Sequence, residues 1–306
     1  MSDSEPTPSH HGDDAEIGGQ YPNDTIRLLI ERSSCRSFHG KAIPEDVMRL
    51  LLEAGTHAAT GGNLQPFSII RIENQATKDR LAHLNGDQPF IATAPTNLLF
   101  CIDWYRIRRW TEIEKAPFTA DQSFRHFWIS FQDTIIAAQN ICTAADAVGL
   151  GSVYVGTVLE CFPELREICD LPDGVFPVVL LSLGYPKDRP KPRRKLDIDV
   201  ITHNETYRRL SDEETLAAFN EKYPYRGVEI TDERMAEMER VCRRVYGPEF
   251  AEECLAMIRK RGIINVVQRY FGLHYTADQM ADDNERYMQI MEDFGFGWFK
   301  KWLPAE

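Results

Sequence analysis

From residue 23 onward, segments with apolar residues three and four apart alternate with shorter apolar runs. In "NDTIRLLIERSSCRSF", Asn23 is a ready N-cap and Ile26, Leu29 and Ile30 share one helical face. The pattern predicts a helix that stops in Ser-Ser-Cys. "IPEDVMRLLLEAGTHAA" predicts a second helix, with Pro44 suited to its first turn and Val47, Leu50, Leu51, Ala54 and Ala58 at helical spacing. Residues 66–72 and 96–102 read as strands; the latter, "TNLLFCI", is a continuous apolar run expected of a strand covered on both faces. The stretch 125–148 is apolar on more than one side, which predicts a central buried helix closed by Gly149. Residues 151–158 and 176–186 read as further strands. Helices alternating with strands predict an α+β or α/β sandwich with helices over a sheet.

The texture changes after about residue 210. "SDEETLAAFNEK" opens with a Ser211-x-x-Glu214 capping box, and Thr276 to Gln279 is a second match. Pro248 stands at a helix start. The segment 211–306 is therefore expected to be an all-helical extension of a domain at 21–210. Residues 1–20 carry five acids and no Lys or Arg, and are rich in Ser, Pro and Gly. Such a segment buries too little apolar surface to offset its ordering entropy, and a disordered tail is expected. His10-His11 beside Asp13-Asp14 could touch a metal, but solvated tail is the commoner reading.

Composition narrows the class. The 306-residue chain is 43% hydrophobic and 27% charged, as in ordinary globular proteins. A net charge of −12 argues against nucleic acid as a partner. No apolar run approaches the roughly 20 residues that cross a bilayer. Seven cysteines without a CxxC pair fit buried thiols rather than a disulfide framework or zinc site. With no export pattern at the start, a cytoplasmic location is expected.

Four stretches could carry chemistry. Arg32, Ser33, Ser34 and Arg36 offer guanidinium, hydroxyl and backbone donors to a phosphate, although an exposed basic turn is the commoner event. "Thr60-Gly61-Gly62-Asn63-Leu64-Gln65-Pro66-Phe67" lets backbone approach a flat ligand, and Asn63 and Gln65 can both donate and accept. Alone it is also a polar helix-to-strand loop. "AVGLGSVYVGT" at 147–157 follows a helix and enters a strand, the reverse of a dinucleotide fingerprint. Residues 187–195 hold six basic residues in nine, interleaved with proline: a solvated linker, or a second clamp on an anion.

In this order the four stretches resemble the FMN-dependent nitroreductase family, whose superfamily also includes reductive deiodinases. The resemblance covers about residues 22–208. "Arg-Ser-Ser-x-Arg-x-Phe" lies at 32–38, "Ile-Pro-Glu" at 43–45, small-Gly-Gly-Asn-x-Gln-Pro at 60–66, "Ala-x-Gly-Leu-Gly-Ser" at 147–152, and "Leu-Gly-Tyr-Pro" with the basic arm at 183–195. It implies a three-layer α/β/α sandwich and a homodimer with FMN at the subunit interface. Arg32, Ser33, Ser34 and Arg36 would then hold the phosphate, ribityl chain and pyrimidine edge, with Arg32 or Arg36 near the flavin N1/O2 edge. Thr60, Gly61, Asn63 and Gln65 match the loop that the partner subunit contributes. Val155, Gly156 and Thr157 match the segment facing the isoalloxazine. Arg193, then Lys191 or Arg194, would complete the phosphate site. The family's usual tryptophan after Gln-Pro is Phe67 here.

The resemblance further implies that NADH or NADPH gives hydride to flavin N5, and that the flavin reduces a small aromatic acceptor such as a nitroaromatic or quinone. No acid–base side chain is required. The acceptor lid is expected within 103–128, from Trp104, Tyr105, Trp110, Phe118 and Phe124, with Arg106, Arg108 and Arg109 to meet a carboxylate. Packing against the dimer partner explains that segment equally well. Two other readings stand beside this one. One is a reductive dehalogenase of a halogenated phenol, with Glu112, Glu114 and Lys115 clamping an amino acid. The other is a flavin-binding interaction module with little turnover.

Overall fold

The computed structural model describes residues 21–224 and 227–303. The expected disordered tail and its His10-His11 pair lie outside them. Four strands form one antiparallel sheet: β1 (Phe67–Ile72), β2 (Thr96–Asp103), β3 (Gly151–Val155) and β4 (Val175–Gly184), in the order β1-β2-β4-β3. β2 is central and buried at every position. Its side chains alternate between two cores. Leu98 and Phe100 point to one and Leu99 to the other, while a register shift after Phe100 sends both Cys101 and Ile102 to the second. That is why the run is apolar throughout: neither face meets water.

Seven helices belong to this body: α1 (Asp24–Glu31), α2 (Glu45–Thr56), α3 (Gln75–Leu84), α4 (Pro89–Thr93), α5 (Trp104–Glu114), α6 (Phe124–Ala147) and α7 (Phe162–Cys169). α2 and α6 cover one face through Met48, Leu51, Ala138, Ile141 and Cys142. Leu81, Ile91, Ile107 and Leu165, from α3, α4, α5 and α7, cover the other. The result is a three-layer α/β/α sandwich. Each large apolar side chain so enclosed contributes roughly 1.5–3 kcal/mol. The cap expected at Asn23 is present, its Oδ1 accepting from Ile26 N at 3.0 Å. The apolar face expected on α1 is there too, but Ile26, Leu29 and Ile30 are all exposed.

Beyond the sheet lie α8 (Ile198–Ile201), α9 (Asp212–Lys222), α10 (Asp232–Tyr246), α11 (Pro248–Arg261), α12 (Val266–Arg269) and α13 (Asn284–Asp293). The expected Ser211–Glu214 capping box closes reciprocally, and Pro248 is the first residue of α11. α10 and α11 share a small core of Met238, Cys242, Leu255 and Ile258. Two expectations need correction. The extension is not wholly helical: β5 (Gly227–Val228) pairs with β6 (Ile264–Asn265). A side chain at Gly227 would collide with Ile264 O, so glycine permits the pairing. Thr276 and Gln279 do not cap a helix, because residues 277–283 form turns. There the buried Asp278 carboxylate is pulled to Arg240 Nη1, 2.6 Å away, with Arg244 at 3.8 Å.

The chain then returns to the sandwich. Phe294 and Phe296 are 1% exposed and belong to the same core as β2 and α5. Phe294 O accepts from Gly174 N at 2.7 Å, and Gly297 N donates to Asp121 O at 3.0 Å.

Candidate functional site

The segment 32–38 leaves α1 as extended chain laid against the sheet. Cys35 N donates to Ser152 O at 2.9 Å, Lys187 N to Ser37 O at 2.9 Å, and Phe38 bridges Pro186. Cys35 is 1% exposed. A Cβ on Gly151 would lie 2.7 Å from the Cys35 Cβ, so glycine on β3 and a small residue at 35 make this contact possible together. With Cys35 turned inward, its neighbours turn outward.

The late basic arm crosses beside them. Ser33 Oγ donates to Pro190 O. Together Arg32, Ser33, Ser34, Arg36, Pro190, Lys191, Arg193 and Lys195 line a cavity of about 230 Å³. Arg36 also sits over the Phe90 ring, 5.7 Å from its centroid. Among the described residues, Arg36, Lys191, Arg193 and Lys195 have no carboxylate within 4.0 Å. Four such cations lining one cavity, in a chain of net charge −12, give it a local positive potential that could hold an anion. Arg194 is not among the lining residues; its Nη2 pairs with Glu221 at 3.1 Å. From the arm, Pro190, Lys191, Arg193 and Lys195 line the cavity.

Arg32 differs from the rest. Its Nε meets Asp146 Oδ2 at 3.1 Å, and its Nη2 lies 3.5 Å from Ser152 Oγ. Asp146 also takes Arg189 Nη1 at 2.8 Å, and Arg189 Nη2 donates to Leu150 O at 2.6 Å. Arg189 and Lys195 lie within the basic arm expected as a second clamp but were not singled out in it, and Asp146 was not expected at all. A signal for Asp146 existed: an acid in the last turn of an apolar helix stands where the helix dipole disfavours it.

The 60–65 loop does not line this cavity. Gly61 N donates to both Asp133 oxygens at 3.1 Å. Burial pushes the Asp133 carboxyl up from its ordinary value, and the Gly61 N–H partly offsets this. Gly62, Asn63 and Gln65 have φ of 62°, 55° and 51°. For Asn and Gln this left-handed backbone costs on the order of 1–2 kcal/mol each, and the surroundings hold it. Gln65 Nε2 donates to Thr56 O at 2.7 Å. Arg106, expected with Arg108 and Arg109 to meet an acceptor's carboxylate, instead donates from Nη2 to the carbonyls of Gln65 and Phe67 at 2.7 and 2.8 Å, a clamp from α5 on this loop. Thr60 Oγ1 is enclosed without a hydrogen-bond partner among the described residues.

Val155 is buried at the end of β3, while Gly156 is exposed with open space where a Cβ would stand. Thr157 Oγ1 lies 2.8 Å from Gln88 Nε2 and 3.1 Å from Asn85 Oδ1, which fixes the turn after the strand. This bare stretch of backbone could abut a planar ring.

The expected lid divides. Trp104 is 2% exposed and packs with Phe118 at 5.9 Å and His126 at 6.1 Å, as a core residue. Arg108 pairs with Asp121 and Arg109 with Glu112. Glu114 and Lys115 stand exposed at the end of α5. Tyr105, Trp110 and Phe124 are exposed, as are Trp128 and Phe131 further along α6. Phe124 and Phe127 pack against Trp298 at 5.2 and 5.4 Å, so the returning C-terminal segment supports this surface. Among the described residues no group of three metal-ligating side chains occurs, and no helix is long and apolar enough to cross a membrane.

A basic turn, a glycine-led loop and a basic arm on an α/β/α sandwich define a nitroreductase-type flavoprotein scaffold. The Nitroreductase family model matches residues 29–185, half of the chain, and the protein belongs to that family. It is 30% identical to the "Oxygen-insensitive NADPH nitroreductase" of Salmonella typhimurium over 198 residues, 65% of this chain and 80% of that one. It is 28% identical to the "FMN reductase (NADPH)" of Bacillus subtilis over 193 residues, 62% of this chain and 77% of that one. The solved structure of B. megaterium NfrA2 shares the fold at 23% identity, with a TM-score of 0.69 over 91% of this chain and all of that one.

Proposed function

We propose that the protein is an FMN-dependent oxidoreductase that uses NADH or NADPH to reduce small nitroaromatic, quinone or related acceptors. The observation that carries this reading is the cavity where the 32–36 turn meets the 190–195 arm. Arg36, Lys191, Arg193 and Lys195, unpaired among the described residues, with the hydroxyl of Ser34, suit a phosphate. Relatives bearing the names NADPH nitroreductase and FMN reductase (NADPH) support it. When bound, FMN supplies the redox chemistry. The chain's own residues bind and orient. The turn and arm hold the phosphate end. The Val155–Thr157 backbone gives the ring a surface without side-chain bulk at Gly156. An arginine at 32 or 36 would stabilise negative charge at the pyrimidine edge.

A cavity of about 230 Å³ is below the roughly 300–1,000 Å³ usual for ligand sites. That supports a site completed by a second copy of the chain, whose 60–65 loop would supply Thr60, Gly61, Asn63 and Gln65. Phe124, Trp128 and Phe131 share one face of α6 and are exposed, an apolar surface that such a homodimer would cover. The experiment begins with the visible spectrum of the purified protein and release of its bound flavin. Anaerobic NADH and NADPH should then bleach the flavin band. Reoxidation by a nitroaromatic and a quinone would rank the acceptors. A colourless protein that FMN cannot reconstitute would refute the proposal, and a yellow one that neither donor bleaches would refute its NAD(P)H part.

A further inference from the structure

Asp146 is a carboxylate in a costly place. Its side chain is 2% exposed, and it stands in the last turn of α6. The negative end of the helix dipole disfavours an acid there, and burial without a partner would cost more. Two guanidiniums offset both costs. Arg32 Nε lies 3.1 Å from one carboxylate oxygen and Arg189 Nη1 2.8 Å from the other. The two arginines come from distant parts of the sequence. Each is followed directly by residues that wall the cationic cavity: Ser33 and Ser34 after Arg32, Pro190 and Lys191 after Arg189.

We infer that Asp146 is the positioning residue of the phosphate clamp: one buried carboxylate fixes both walls through their arginines and so sets the spacing of the unpaired cations. This rests on the FMN reading above. Without the pin, Arg32 and Arg189 repel each other and the nearby cations. The exposed arm must then be ordered anew on each binding event, at an entropic cost to affinity. A pure charge argument has the opposite sign. Deleting a negative charge near a phosphate raises the local positive potential and tightens binding. The direction of the effect therefore separates positioning from bulk electrostatics.

The test uses the full chain stripped of flavin and titrated with FMN and with riboflavin, which lacks the phosphate, following flavin fluorescence. Wild type, D146N and R189K are compared. In D146N the preference for FMN over riboflavin falls about tenfold or more, while riboflavin affinity stays within about twofold. R189K keeps the charge but loses the guanidinium fork that spans Asp146 and Leu150 O, and it moves in the same direction by less, since Arg32 stays paired; with the charge unchanged it also carries the test should D146N not fold. An unchanged or increased FMN preference overturns the inference. So does an equal loss of affinity for both flavins, which would make Asp146 a packing residue only. A wild type that binds neither flavin is a different result: it removes the FMN reading itself.

Discussion

Phe296→Ala tests whether the C-terminal segment is part of the sandwich core or an appendage to it. Phe296 is 1% exposed, 6.2 Å from Phe127 and 5.8 Å from Phe176, both edge-to-face. The neighbouring backbone is anchored at Gly174 and Asp121, so the site has little freedom to collapse around a lost ring. Truncating a buried Phe under such conditions costs about 3–5 kcal/mol. That is about a fifth or more of the roughly 5–15 kcal/mol that holds a typical domain together. At about 2–4 °C per kcal/mol for a protein of this size, the main transition should fall by about 10 °C. Trp302→Ala, 54% exposed in the same segment, should change stability by less than about 0.5 kcal/mol. Urea unfolding, followed by far-UV dichroism and tryptophan fluorescence, reads both variants. If Phe296→Ala moved only a minor early transition and left the main one in place, the segment would be an independent unit and the reasoning wrong.

Three further outcomes follow from the geometry. Arg36→Ala and Arg193→Ala should fold but lose about 1.5–3 kcal/mol of FMN binding each, the worth of a charged hydrogen bond. Arg194→Ala, whose partner is Glu221, should bind FMN as wild type does; equal losses in all three would dissolve the distinction. Trp128→Asp places a charge amid exposed apolar residues of α6 and tests the proposed homodimer: in sedimentation velocity the wild type should run as a dimer and the variant as a monomer. A monomeric wild type would refute the proposed homodimer, and a variant that stays dimeric would move its interface elsewhere. Asp133 concerns pH. Its native pKa is raised above the ordinary 3.8, so between those values the folded state holds a proton that the unfolded chain has released. Its contribution to stability therefore falls as pH rises through that window. The stability difference between wild type and Asp133→Asn should change over the same window, and a flat difference from pH 3.5 upward would show that Asp133 is not shifted.

Much of the fold was legible because it rests on local periodicity. The strand at Thr96–Asp103 announced its double burial by being apolar at nearly every position. The helix Phe124–Ala147 announced its central place by being apolar on several sides. Caps at Asn23 and Ser211 are local chemistry, and both formed. The match at Thr276 looked the same and failed. Asp278 within it was claimed by Arg240 and Arg244 of α10, and ion pairing across the fold outweighed a local cap. Trp104 read as a lid residue because aromatic side chains look alike on paper; packing beside Phe118 and His126 made it core.

The candidate site divides along the same line. The sequence offered the turn Arg32–Arg36 and the basic arm as possible anion chemistry, and the family resemblance singled out Arg193, Lys191 and Arg194 within the arm. It also supplied the loop from Thr60 to Gln65, whose glycines imply a backbone few side chains could accept. Only the tertiary structure decided that turn and arm share one cavity while the loop stands apart from it. Tertiary structure also decided that Arg194 turns to Glu221 and Arg32 turns inward. The physical reason is that a carboxylate's partners depend on distance in space. Asp146 is an ordinary acid in the sequence; buried at the end of α6 between Arg32 and Arg189, it joins two segments that the chain itself keeps far apart.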